Sequence, residues 1–141
     1  MVESLFNNNR AIEGAALSLW SSFSASLLTG KNGPSIGIWL QNLAFKSNVA
    51  YFRGTLDVTS AEIATSGHLA FFNNTNTAMY LRKSIVYAHG SIEFDKNFGH
   101  VGAGLFSTAS RITVSWGTSF SFTRNSATWL GGGVYAEMVD R

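Results

Sequence analysis

Three histidines, His68, His89 and His100, and one close carboxylate pair, Glu93 and Asp95, are the residues whose types could do chemistry in this chain. Histidine serves as a general acid or base and as a metal ligand, and a metal site takes at least three placed ligands. The three histidines are scattered, and the plainer reading is of ordinary strand-end side chains. His68 and His89 flank one strand–turn–strand segment and are expected to approach each other across a sheet. Glu93 and Asp95, two apart, share one strand face, where paired carboxylates can move a proton or bind a cation. Beside Lys96 they also read as a solvated strand end. The many serines form no G-x-S-x-G elbow and no assignable triad. Gly99–Gly104 and Gly131–Gly133 do not open a helix after a strand, so they do not cradle phosphate. They read as places where a sheet bends, bulges or takes a close neighbour. No cofactor is implied, and the expectation is a protein that is not an enzyme.

The elements that would position these residues are strands. The segment Gly67–Ala88 runs Leu69-Ala70-Phe71-Phe72, then the polar corner Asn73-Asn74-Thr75-Asn76-Thr77, then an alternating stretch from Met79 to Tyr87. Such a segment is two strands and a turn, with no room for a helix. Val49–Val58, Ser91–Phe94, Val101–Phe106, Ile112–Trp116, Thr118–Phe122 and Trp129–Val139 read as further strands. Thr29-Gly30-Lys31-Asn32-Gly33-Pro34 reads as a turn, followed by a strand over 35–41. Residues 10–16 read as a short helix or turn and 17–28 as a strand, although Ile12, Ala16, Leu19, Trp20, Phe23 and Leu27 also fit a helical stripe. Turn signals every 8–12 residues and no evident internal repeat predict an all-β fold, a single antiparallel β-sandwich of jelly-roll type. Residues 1–16 form its N-terminal arm and 17–141 the sandwich domain. Phe52, Leu56, Leu69, Phe71, Leu81, Ile85, Ile112, Val114 and Phe120 are its expected core, and two of the four tryptophans are expected to join it.

Composition narrows the function classes. Charged residues make up 13 % of 141 residues and hydrophobic residues 45 %, so the chain has a core but covers itself with Ser, Thr, Asn and Gly. That surface suits a β-protein that packs against copies of itself or lives outside the cell. Basic residues are scattered, with only Arg82-Lys83 adjacent, which argues against nucleic acid. There is no cysteine, no apolar run long enough for a transmembrane helix, and no signal-peptide pattern at Met1–Arg10. Arg10, Trp20, Arg82, Lys83 and Trp129 are the residues read as partner contacts, Trp129 being the tryptophan expected to stand exposed.

Through Leu69–Lys83, a strand, an Asn-plus-small-residue turn and a strand carrying an aromatic, an apolar and a basic residue, the run Tyr51–Tyr87 resembles small β-sandwich structural proteins of tailed bacteriophages. These are head decoration proteins, head fibres and tail-fibre modules. The resemblance implies a non-enzymatic virion component that self-associates, often as trimers, and binds a capsid or tail lattice. Its partners would be copies of itself and other virion proteins, with no nucleic acid and no membrane. A second resemblance is to actinoporin-like pore-forming toxins. Ala11–Trp20 looks like their amphipathic N-terminal helix, Ser35–Ile38 like the strand after it, and Ser126–Tyr135 with Trp129 like their lipid-headgroup region. It implies membrane binding. A carbohydrate-binding module, with an exposed tryptophan for stacking on sugar, is the third alternative.

Overall fold

A computed structural model describes residues 4–12, 14–20 and 38–138. Among these residues the chain is all-β, and every strand pairing is parallel. The chain winds as a β-solenoid of about four turns, stacked as five rungs. Rung 1 holds β1 (Ser4–Asn7), β2 (Arg10–Ala11) and β3 (Leu17–Trp20). Rung 2 holds β4 (Ile38–Lys46) and β5 (Val49–Thr59), and rung 3 holds β6 (Glu62–Phe72) and β7 (Thr75–Arg82). Rung 4 is β8 (Ile85–Ala88), β9 (Ser91–Asp95), β10 (Phe98–Val101) and β11 (Leu105–Thr108). Rung 5 is β12 (Arg111–Val114), β13 (Ser119–Thr123), β14 (Ser126–Leu130) and β15 (Val134–Glu137). One sheet of seven strands stacks β1, β4, β6, β8, β9, β12 and β13, and a second of eight stacks the others.

This overturns the antiparallel jelly-roll sandwich and, with it, the bacteriophage resemblance. β6 and β7 are the two strands of Leu69–Lys83, but they lie in different sheets and do not pair. β6 bonds to β4, β8 and β9, and β7 to β5, β10 and β11. Alternation and a polar corner specify a strand and a bend; they do not say which strand lies alongside. The actinoporin resemblance fails on its helix, because Leu17–Trp20 is a strand paired in register with Leu56–Thr59. The expected strand over 17–28 is present at 17–20, while residues 21–37, with the Thr29–Pro34 turn, lie outside the described residues.

The register exposes an internal repeat, F-x-x-N, at Phe6–Asn9, Phe45–Asn48, Phe71–Asn74, Phe94–Asn97 and Phe122–Asn125. The five phenylalanines form one inward column with successive ring centroids 4.9, 4.8, 4.9 and 4.8 Å apart and planes within 10°. That separation is the strand spacing of a sheet, so stacking follows from parallel, in-register pairing. Each asparagine then joins its rung to the next. The backbone N–H and the side-chain amide of Asn48 both donate to Oδ1 of Asn74, at 3.0 Å each. Asn74 donates likewise to Asn97, and Asn97 to Asn125. The second amide hydrogen reaches back to the carbonyl of the preceding rung's phenylalanine, as from Asn74 to Phe45 at 3.0 Å. Buried polar side chains are thereby satisfied on both sides.

All 17 positive-φ residues among the described ones fall into four columns, so each turn bends at four corners. Asn8, Ser47, Asn73, Lys96 and Arg124 immediately precede the ladder asparagines. Ser60, Lys83 and Ala109 form a second column, Asn42, Gly67, Gly90 and Gly117 a third, and Gly14, Arg53, Asn76, Gly102 and Gly131 a fourth. The two left-handed arginines are each tied to a carboxylate: Arg53 to Asp57 at 3.2 Å and Arg124 to Asp95 at 2.9 and 2.6 Å.

Leu56, Leu69, Phe71 and Leu81 are buried as expected, with Ile85, Ile112 and Phe120 half-buried. Phe52 and Val114 are exposed instead. None of the four tryptophans is in the core; Trp20, Trp39, Trp116 and Trp129 all stand on the outside.

Candidate functional site

Each histidine sits on one rung beside a hydroxyl of the next. His68 Nδ1 lies 2.8 Å from Ser91 Oγ, and its Nε2 lies 3.8 Å from Glu93. His89 bonds Ser115 and stacks on Trp39 at 6.3 Å. His100 Nδ1 lies 2.7 Å from Thr128 Oγ1, with its ring 5.6 Å from Trp129. His68 and His89 do not meet, because in-register pairing sets His68 opposite Ser91. Ser91, His68 and Glu93 have the residue types of a nucleophilic triad. However, the carboxylate is beyond hydrogen-bond reach of the ring, and all three lie on a partly exposed sheet face. Asp95 faces Arg124 rather than Lys96. Among the described residues no three His, Asp or Glu side chains group as metal ligands.

A further surface feature is a notch in the eight-stranded sheet. It arises from unequal rung lengths. Val49, Thr75, Phe98 and Ser126 are aligned, and so are Leu56, Met79, Leu105 and Val134. Between these two columns rung 2 spends residues 50–55 and rung 4 residues 99–104, while rung 3 spends only 76–78. Rung 3 turns this corner on Asn76 alone (φ 73°), so it is recessed between two bulging neighbours. The resulting groove, about 460 Å³, is lined by Val49–Arg53 of rung 2, Thr75 and Asn76 of rung 3, and Gly99 and His100 of rung 4. Tyr51 and Phe52 are 63 % and 64 % exposed there. Trp129, 69 % exposed, stands behind His100 on rung 5.

The five residues read as partner contacts divide between two places. Trp20 and Arg82 occupy one column, on either side of Thr59, with Lys83 at the adjoining corner. Arg10 and Trp129 both lie at the opposite side of the same sheet, but on rungs 1 and 5, four rungs apart. All five are exposed. Sequence reading missed Tyr51, Phe52 and Asn76. The signal that finds them is the F-x-x-N register, which shows rung 3 to be short.

Residues 119–137, most of rung 5, match the family model described as the Chlamydia polymorphic membrane protein repeat. That stretch is a small part of the chain, and it contains the last phenylalanine and asparagine of the ladder, Phe122 and Asn125. No curated protein and no solved structure matches the chain.

Proposed function

We propose that this chain is a non-enzymatic structural module that self-associates by adding rungs, the last rung of one copy accepting the first rung of another. The observation that carries this reading is the polarity of the asparagine ladder. Every rung donates from an asparagine N–H and amide to the Oδ1 of the next. Asn125 therefore offers the donors that Asn9 Oδ1 can take. The phenylalanine column would continue from Phe122 to Phe6 in the same way. Solenoid stability is a sum over neighbouring rungs, so one more rung adds the same contacts as the last. A head-to-tail contact of this kind extends without closing. The match of 119–137 to a repeat also supports a chain built by rung addition. The virion assignment loses its support with the bacteriophage resemblance.

A cysteine pair tests it, because the chain has no cysteine of its own. In such a stack Arg10 of one copy lies opposite Ser126 of the next, by continuation of the column Arg10, Val49, Thr75, Phe98, Ser126. Parallel neighbours are about 4.8 Å apart, inside disulfide range. Within one copy the same two residues are four rungs apart, roughly 19 Å, and cannot bridge. The double variant R10C/S126C should form covalent multimers on mild oxidation, and a mixture of the two single variants should stop at dimers. A double variant that stays monomeric at millimolar concentration would overturn the reading.

A further inference from the structure

We propose that the notch over rung 3 is a saccharide subsite that takes one ring of a neutral glycan. This goes beyond self-association and concerns a different part of the surface.

The walls belong to rungs 2 and 4, two strand spacings apart, or roughly 9.5 Å. Carbon atoms in contact sit about 3.5–4.0 Å apart. A saturated six-membered ring can therefore touch both walls. The groove volume, about 460 Å³, lies within the range of small-ligand sites, roughly 300–1,000 Å³.

Tyr51 and Phe52 both stand exposed in the groove because the bulge before Gly54 takes both side chains out of the sheet's alternation. On the far wall the His100 ring is held by Thr128 and backed by Trp129. Aromatic faces of this kind suit the C–H face of a sugar, and the recessed floor supplies Thr75 and Asn76 for its hydroxyls. Arg53 is paired with Asp57 at 3.2 Å. The one arginine of the lining is thus met by a carboxylate, which favours a neutral glycan over a sulfated or phosphorylated one.

The test is titration of the protein, followed by nuclear magnetic resonance, with hexasaccharides of glucose, N-acetylglucosamine and galactose, and with a heparin hexasaccharide. Saturable shifts confined to residues 49–53, 75–76 and 99–100 are expected with at least one neutral hexasaccharide. Affinity should fall at least tenfold in Tyr51→Ala and Phe52→Ala. Both side chains are exposed, so neither change should disturb the fold, which circular dichroism checks. Trp39→Ala removes an exposed ring from the other sheet and should bind as the unaltered chain does. Silence with all three neutral sugars, binding confined to heparin, or equal loss in Trp39→Ala would each overturn the proposal.

Discussion

Oδ1 of Asn125 accepts both the backbone N–H of Asn97, at 3.0 Å, and its side-chain amide, at 2.9 Å. The same two-donor link joins Asn9 to Asn48, Asn48 to Asn74 and Asn74 to Asn97. Each link ties together two rungs that the phenylalanine column already packs three residues upstream. The F-x-x-N unit therefore combines an inward ring that stacks and a corner amide that fixes register. A one-residue slip would break both at once, because it would turn the phenylalanine outward and remove the amide from the corner.

Asn74→Ala should cost roughly 3 kcal/mol or more of unfolding free energy. The substitution strands the N–H and amide of Asn48, removes the amide donor from the carbonyl of Phe45, and leaves Oδ1 of Asn97 with only the backbone N–H of residue 74, all contacts that Asn74 now makes at 3.0 Å. Asn74→Asp keeps an acceptor for Asn48, loses both donors and buries a charge, so it should rescue nothing. Asn125→Ala, on the half-exposed last rung, should cost less, about 1–2 kcal/mol. Urea unfolding of the three variants checks the order. Equal losses for Asn74→Ala and Asn125→Ala would remove the ladder as the explanation.

Strands and corners were legible from residue types, because β-branched and aromatic alternation and Asn/Gly corners act locally. Pairing was not. Successive phenylalanines of the repeat, at 6, 45, 71, 94 and 122, are separated by 39, 26, 23 and 28 residues, which hides the repeat from any search for a fixed period. Phe52 shows a second limit. Its parity with Leu56 and Val58 put it in the core, but the left-handed bend at Arg53 lies between them and breaks the alternation. The notch was illegible for the same reason, since it is a difference between rungs and no single rung contains it. The tryptophans misled because the interior columns at 4.8 Å spacing are filled by Phe, Leu, Ile, Val, Met and Ala, and the larger indoles remain outside.

Tyr87 should hold its proton to higher pH than an ordinary tyrosine. Burial of the phenol raises its pKa first, then the Glu62 charge and the hydrogen bond to Glu62, while Arg111 acts the other way. A folded-state pKa raised above the unfolded value gives stability that is complete below about pH 10 and is lost as pH rises through the folded value. Glu62→Gln should lower the Tyr87 pKa, and Arg111→Met should raise it. Ring-carbon chemical shifts of Tyr87 across the alkaline range measure both. A shift in the same direction for the two variants would contradict this assignment of causes.

The corner columns separate backbone strain from collision. Ala109 sits at φ 48° on an exposed corner, where a Cβ is unfavourable by roughly 1 kcal/mol, so Ala109→Gly should stabilise the protein by up to that amount. Gly117→Ala places a Cβ at φ 79° with nothing within 4 Å. It should cost only the conformational term, about 1 kcal/mol. Gly90→Ala meets the same unfavourable φ, at 86°, and adds a Cβ 2.2 Å from the carbonyl oxygen of Gly67. That oxygen belongs to the neighbouring rung's backbone at the same corner, so it cannot swing aside as a side chain could. The cost should exceed that of Gly117→Ala by at least about 2 kcal/mol. Urea midpoints for the three variants give the test. If Gly90→Ala and Gly117→Ala lose the same amount, close approach of successive rungs is not what requires glycine at position 90.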